Sequence, residues 1–372
     1  MYRECGGGLW PEKDPHPQPA WIILCKVRIP SWETREDATS SIRAHSAFLV
    51  ATLLANRFSM MKTSESVSPR HPDKLCDRIS DAILDAYLTK DPQARVAVET
   101  LGAHGTITVA GEVSADAEMP DVHRIVRTIA GPGFDVRIHI VEQSPEISRG
   151  VDTGGAGDQG IMTGYATAET ATYMPREYEL ARTLCQAIYA LHPYDGKTQV
   201  TIADDGSVRS VVASFQNVSQ RELKKIAKKI VPADEYHLNP AGDWSVGGFD
   251  ADTGLTGRKI VVDNYGPEIA VGGGAFSGKD PSKVDRSGAY MARRIAVDLL
   301  KKRGARTVFV KLAYAIGHPS ALMAVATLDG NSEPIRGYDL TPRGIRIFLS
   351  LNKPRYEETA QWGHFGRGFP WL

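Results

Sequence analysis

Residues 72–113 read PDKLCDRISDAILDAYLTKDPQARVAVETLGAHGTITVAGEV, and this stretch decides the fold class. Pro72 suits a first helical position. Leu75, Ile79, Ala82, Ile83 and Ala86 follow at 3.6-type spacing, so a helix is predicted. Residues 95–101 alternate as a half-buried strand does, His104-Gly105 makes a turn, and 106–113 reads as the returning strand. A second helix fits 120–130, ended by Gly131-Pro132-Gly133, and a third strand fits 134–141. The order is α-β-β-α-β.

That order returns about a hundred residues later. A helix is predicted over 176–191. Strands at 198–203 and 208–215 flank Asp204-Asp205-Gly206, a hairpin signal. Ser219 and Glu222 form a capping box before Leu223, Ile226 and Ile230, and a short strand is expected at 236–238. A third copy is partial. It has a long helix over 281–303, with Asp280 as N-cap and Gly304 past its end, then strands at 307–313 and 321–328. Its second helix is missing or reduced to 331–337, and 345–351 resumes an ordered pattern. These observations predict three similar α+β units, each a sheet with helices on one face. Candidate seams are 150–160 and 239–257, both rich in Gly and Asp.

The chain of 372 residues has length for two to three domains. Lys+Arg and Asp+Glu both number 44, so no whole-chain attraction to nucleic acid or anionic membrane is expected. No run of 18 apolar residues suggests a transmembrane helix. Cys5, Cys25, Cys76 and Cys185 form no CxxC pair, so a reducing, cytoplasmic setting is the default. Residues 1–60 differ from the rest. They hold three of the six Trp and a crowd of prolines, and read as a disordered extension or a mis-called start at Met60 or Met61.

Four constellations carry chemistry. Residues 272–287, GGGAFSGKDPSKVDRS, join a glycine run to three cations, Lys279, Lys283 and Arg286. Glycine lets backbone approach an anion closely, so the loop suits polyphosphate; a plain glycine turn with solvated lysines is the alternative. Residues 273–279 match GxxxxGK, but Asp280 stands where a phosphate-loop NTPase needs Ser or Thr. His71-Pro72-Asp73-Lys74 opens a helix, for metal and phosphate contact or merely for capping. Residues 154–160, GGAGDQG, place Asp158 among glycines. Residues 252–259, DTGLTGRK, set Asp252 near Arg258 and Lys259, before a strand expected at 260–262.

Together with Ser64-Glu65-Ser66-Val67, Tyr314-Ala315-Ile316-Gly317 and Gly363-His364-Phe365-Gly366-Arg367, these motifs resemble the S-adenosylmethionine synthetase (methionine adenosyltransferase) family, in order, over about residues 61–371. The resemblance implies three units related by pseudo-threefold symmetry, at 61–148, 154–246 and 248–372. It also implies attack of the methionine sulfur on C5′ of ATP, with the released triphosphate hydrolysed to pyrophosphate and phosphate. A homodimer or dimer of dimers with the site between subunits would follow.

Residue by residue, the resemblance makes His71, Asp158 and Lys279 catalytic, with His71 at the bridging oxygen of the departing triphosphate. Asp195, Lys197, Asp243, Trp244, Asp252, Arg258, Lys259, Ala275 and Lys279 would contact ATP, and Glu112, Gln143, Asp252 and Lys283 methionine. Asp73 and Asp285 would hold magnesium, and Glu99 potassium. Some positions depart from the family. Asp243-Trp244 stand where Arg-Phe is usual, so a charge is reversed beside a polyanion unless Asp243 points away. The stretch between Gly133 and Gln143 is short, and the last unit lacks about one helix. Asp243 and the lost helix motivate the rival reading, a non-catalytic ATP-binding paralogue acting as a regulatory subunit.

Overall fold

The computed structural model describes residues 61–143 and 154–372. The reading of residues 1–60 as an extension therefore lies outside the described residues. The elements run β1 (Met61–Val67), α1 (Pro72–Lys90), β2 (Arg95–Ala103), β3 (Thr106–Ser114), α2 (Val122–Ala130), β4 (Asp135–Glu142) and β5 (Gly160–Thr167). Next come α3 (Arg176–Leu191), β6 (Gly196–Ala203), β7 (Val208–Phe215), α4 (Gln220–Ile230), β8 (Glu235–Leu238), β9 (Gly254–Leu255) and α5 (Ile260–Asp263). The chain finishes with α6 (Val284–Arg303), β10 (Thr307–Tyr314), β11 (Met323–Leu328), β12 (Asn331–Pro334), α7 (Pro342–Phe348) and α8 (Tyr356–Gln361).

Three four-stranded sheets result, ordered β4-β3-β2-β9, β8-β7-β6-β1 and β12-β11-β10-β5. Each has an antiparallel hairpin at its centre and takes one edge strand from elsewhere in the chain: β9, β1 and β5. β1 and β5 were not expected from the sequence, because their partners are remote. In the first two sheets a helix carries the chain to a parallel fourth strand, α2 to β4 and α4 to β8. In the third, Asp329 and Gly330 both take positive φ, 44° and 89°. Such a two-residue turn returns the chain antiparallel, so β12 follows β11 directly. That is why the expected second helix is missing and residues 331–334 form a strand.

One long helix lies on each sheet: α1 on β2, α3 on β1 and β6, α6 on β5 and β10. At Gly164 of β5 a Cβ would stand 2.1 Å from the Ala292 carbonyl carbon, so α6 lies almost on the strand backbone. The opposite sheet faces are partly open. Glu99, Leu101, Ala110, Glu112, His139 and Val141 are exposed together on one, and Ile161 and Met323 on another.

Two expected elements differ. Residues 260–262 form helix α5 rather than a strand, closed by Asp263 N–H donating to the Lys259 carbonyl at 2.8 Å. Helix α6 starts at Val284 with Lys283 as N-cap, not at Pro281 after an Asp280 cap. Asp280 is engaged elsewhere. Its N–H donates to the Val96 carbonyl and its carboxylate accepts from Val96 N–H at 2.8 Å, laying residues 278–280 alongside β2.

Candidate active site

The start of α1 builds the first part of the site. His71 is its N-cap, and its Nδ1 accepts from Asp73 N–H at 3.2 Å. In the neutral ring the proton must then sit on Nε2. Burial, with Lys259 close by, pushes the His71 imidazole down to about 4. Asp73 accepts from Leu255 N–H at 3.0 Å and from Lys259 Nζ at 2.5 Å, with Arg258 Nε at 3.4 Å. Burial alone would raise its carboxyl; these donors outweigh it and hold it below the ordinary value. The expected group His71, Asp73, Arg258 and Lys259 is thus brought together, although 180 residues and more separate its halves.

Behind it lies a buried triad. Lys74 Nζ donates to Asp263 at 2.5 Å and to Asp77 at 3.2 Å. Asp77 also accepts from Gly257 N–H at 2.8 Å, which anchors the DTGLTGRK loop to α1. Asp81, one turn on, accepts from Gly278 N–H at 2.8 Å and anchors the glycine loop. Asp77, Asp81 and Asp263 were missed in the sequence. The signal was there: Asp73, Asp77, Asp81 and Asp85 recur every four residues, one stripe along α1.

The glycine loop supplies the second part. Lys279 Nζ lies 2.6 Å from Asp285, and Lys283 pairs with Asp280. A Cβ on Gly257 would meet the Ala275 Cβ at 2.4 Å, so the two loops touch beside Ala275. Arg286, read from sequence as a further loop charge, does not face this space. It is buried against Asp81 at 2.6 Å and covered by the Tyr356 ring at 4.2 Å.

A third part surrounds Asp195. Burial raises its carboxyl, although Gly248 N–H donates to it at 2.9 Å. A cleft of about 240 Å³ beside it is lined by Arg70, Gln216 and Phe249. Lys197 lies exposed at the start of β6 and contributes to lowering the His71 imidazole. Trp244 donates from Nε1 to Ser214 Oγ at 3.1 Å. Asp243 does not line this cleft: its Oδ1 accepts from Gln220 N–H and Asn239 Nδ2, both at 3.1 Å.

Other expected residues are not drawn into these groups. Glu99 and Glu112 lie exposed on one open sheet face. Asp158 is exposed and accepts from Gln159 N–H at 2.7 Å, and Asp252 from Thr253 N–H at 2.7 Å. Gln143 follows β4, its Oε1 enclosed without a hydrogen-bond partner. In sum, the chain offers cations held apart by carboxylates around glycine loops, beside a neutral imidazole donor.

Comparison with known proteins adds sequence evidence. The N-terminal, central and C-terminal domains of S-adenosylmethionine synthetase match residues 59–147, 153–243 and 246–372. Proteins called S-adenosylmethionine synthase are similar throughout this span. The one from Deinococcus deserti is 42% identical, covering 83% of this chain and 95% of its own. That of Nitratiruptor is 44% identical, covering 83% and 93%, and that of Parvibaculum lavamentivorans 41%, covering 85% and 96%. The chain belongs to the S-adenosylmethionine synthetase family.

Proposed function

We propose that the chain makes S-adenosylmethionine from ATP and methionine; it is a methionine adenosyltransferase. The observation that carries the reading is the meeting of Arg258 and Lys259 with Asp73 beside neutral His71, in a chain of this family. The non-catalytic rival has no support among the relatives compared above, each of them named as a synthase.

In the proposed reaction the methionine sulfur offers a lone pair to C5′ of ATP. The S–C5′ bond forms as the C5′–O5′ bond breaks, and that electron pair leaves on the triphosphate. Sulfur needs no deprotonation, so the demands are alignment and stabilisation of a leaving polyanion. His71 Nε2–H is the donor for the departing oxygen. Arg258, Lys259 and Lys279 exchange their carboxylate partners for phosphate oxygens. Asp195, Lys197, Trp244, Asp252 and Ala275 hold the nucleotide; Glu112, Gln143, Asp252 and Lys283 face methionine; Asp158 faces the sulfonium. Asp243 is omitted from the ATP contacts, being occupied at the start of α4. Hydrolysis of triphosphate to pyrophosphate and phosphate completes the cycle.

Asp73 and Asp285 fit magnesium as hard carboxylate donors. Among the described residues no three His, Cys, Asp or Glu side chains converge. This suits an ion that takes its other ligands from phosphate and water. When bound, magnesium offsets negative charge on the leaving group. Glu99 contributes one carboxylate toward potassium, on a face left open in the single chain. That face, and the exposed Ile161 and Met323, suit a second copy, hence a homodimer or dimer of dimers. The recurrence of a four-stranded sheet supports three pseudo-threefold related units, taken here as 61–148, 154–246 and 248–372, with the edge strands β1, β5 and β9 each joining the sheet of another unit. No described helix is long and apolar enough to cross a membrane; a cytoplasmic setting completes the reading.

The test is purified protein with ATP, methionine, magnesium and potassium, reading S-adenosylmethionine by mass spectrometry. Methionine-dependent product is expected. ATP binding without product would overturn the reading.

A further inference from the structure

A cavity of about 540 Å³ opens beside helix α7, lined by none of the residues assigned to the site above. Arg343 and Arg346, three residues apart on that helix, line it together with Lys353. Gln93, Ser350 and Asn352 add neutral polar groups to the wall. Among the described residues, no ion pair engages Arg343, Arg346 or Lys353. Arg346 Nε is enclosed and has no hydrogen-bond partner.

Arg346 sits in an unbalanced field. Burial lowers its guanidinium below the ordinary value; Asp280 attracts it, whereas Arg95 and Arg343 repel it. Asp280 is already committed, since its carboxylate accepts from Val96 N–H, Ser282 N–H and Lys283. Like charges one helical turn apart repel, and an enclosed donor without an acceptor is costly. An anion in the cavity offsets the repulsion, whereas Nε, enclosed from solvent, is not reached from it. Guanidinium forks match phosphate oxygens, and a lysine adds a point charge. The volume leaves room for an organic body against the arginine and lysine stems and Ile347.

We propose that this cavity binds a phosphate-class anion, with Arg343, Arg346 and Lys353 as its charge partners and Gln93, Ser350 and Asn352 as hydrogen-bond partners. None of its lining residues is among those assigned to ATP or methionine above, and its existence does not depend on that reading.

The experiment counts bound anion on the full-length chain by equilibrium dialysis with labelled pyrophosphate at low ionic strength. The expected result is a salt-sensitive equivalent per chain that survives Lys279→Ala. In the Arg343→Gln/Lys353→Gln double variant this equivalent weakens at least about tenfold, with turnover kept as the check on folding. Both residues are exposed, so the fold tolerates them. Competition then identifies the source. Phenyl phosphate displacing the probe better than inorganic phosphate assigns an organic phosphate, and equal displacement assigns the free anion; both support the site. The proposal is overturned if no equivalent survives Lys279→Ala, or if the surviving one is indifferent to the double variant.

Discussion

Arg286 meets the Asp81 carboxylate through both terminal guanidinium nitrogens, at 2.6 and 2.9 Å, with both side chains buried. The pair joins α6 to α1, and Asp81 simultaneously holds the glycine loop through Gly278 N–H. Asp85 does similar work one turn further, accepting from the N–H groups of Arg355, Tyr356 and Glu357. The acidic stripe of α1 therefore fastens four separate stretches of chain to one helix.

Removing one partner leaves the other charge buried. Arg286→Leu is expected to cost roughly 3–5 kcal/mol, and Arg286→Lys much of that, because the two-pronged geometry is lost. Urea unfolding monitored by circular dichroism checks it. A loss under about 1 kcal/mol in both variants would sink the anchoring role.

His71 makes stability depend on pH. Its folded value is about 4 against 6.5 for a free imidazole, chiefly through burial. Between those values the unfolded chain binds more protons than the folded one. This contribution is fully present above pH 6.5, and is lost as pH falls toward 4. Its full size is on the order of 3 kcal/mol. His71→Asn keeps a capping side chain and removes the titration, so its unfolding free energy is expected to fall less steeply over this window. Equal slopes in the two proteins would contradict the assignment.

Lys279 separates function from folding. Its partner Asp285 is 2.6 Å away, but the lysine side chain keeps 25% of its exposure. Such a pair contributes about 1 kcal/mol or less. Lys279→Ala is expected to leave the melting temperature nearly unchanged while turnover falls on the order of a hundredfold, the scale for losing one preorganised charge partner. Initial rates of methionine-dependent phosphate release decide it; unchanged turnover removes Lys279 from the loop's chemistry.

How much of this was legible in the sequence varied by element. Helix α1 and the β2–β3 and β6–β7 hairpins announce themselves, because their apolar periodicity and turn residues are local. β5, GIMTGYAT, has no clear alternation: Met162, Thr163 and Gly164 are all buried, since α6 and a neighbouring loop cover it. β9 is two residues long and exists only by pairing with β2. The motifs singled out His71, Asp73, Arg258 and Lys259, which the structure brings together, because each motif sets charged residues at short spacing. They misjudged Arg286, whose orientation is set by an aspartate 205 residues away. They were silent on Asp77 and Asp263, since a buried carboxylate looks like a solvated one until its donor is known.

Asp243 gives the clearest trial of a charge that the sequence alone made suspect. In front of a triphosphate it would repel, and its replacement by a neutral residue would tighten ATP binding. Instead its carboxylate accepts the first free N–H of α4, from Gln220, and one from Asn239. Asn239 itself ties β7 together, accepting from Phe215 N–H at 3.0 Å and donating to the Val218 carbonyl at 2.8 Å. An acid at a helix start satisfies a donor and the helix dipole, for about 0.5–2 kcal/mol. Asp243→Ala is therefore expected to destabilise the protein by about 1 kcal/mol while the KM for ATP stays within about twofold. Asp243→Asn keeps the acceptor and is expected to recover part of the stability. Thermal melting and ATP titrations of the two variants read both quantities. A several-fold fall in KM with unchanged melting would instead place the carboxylate against the nucleotide.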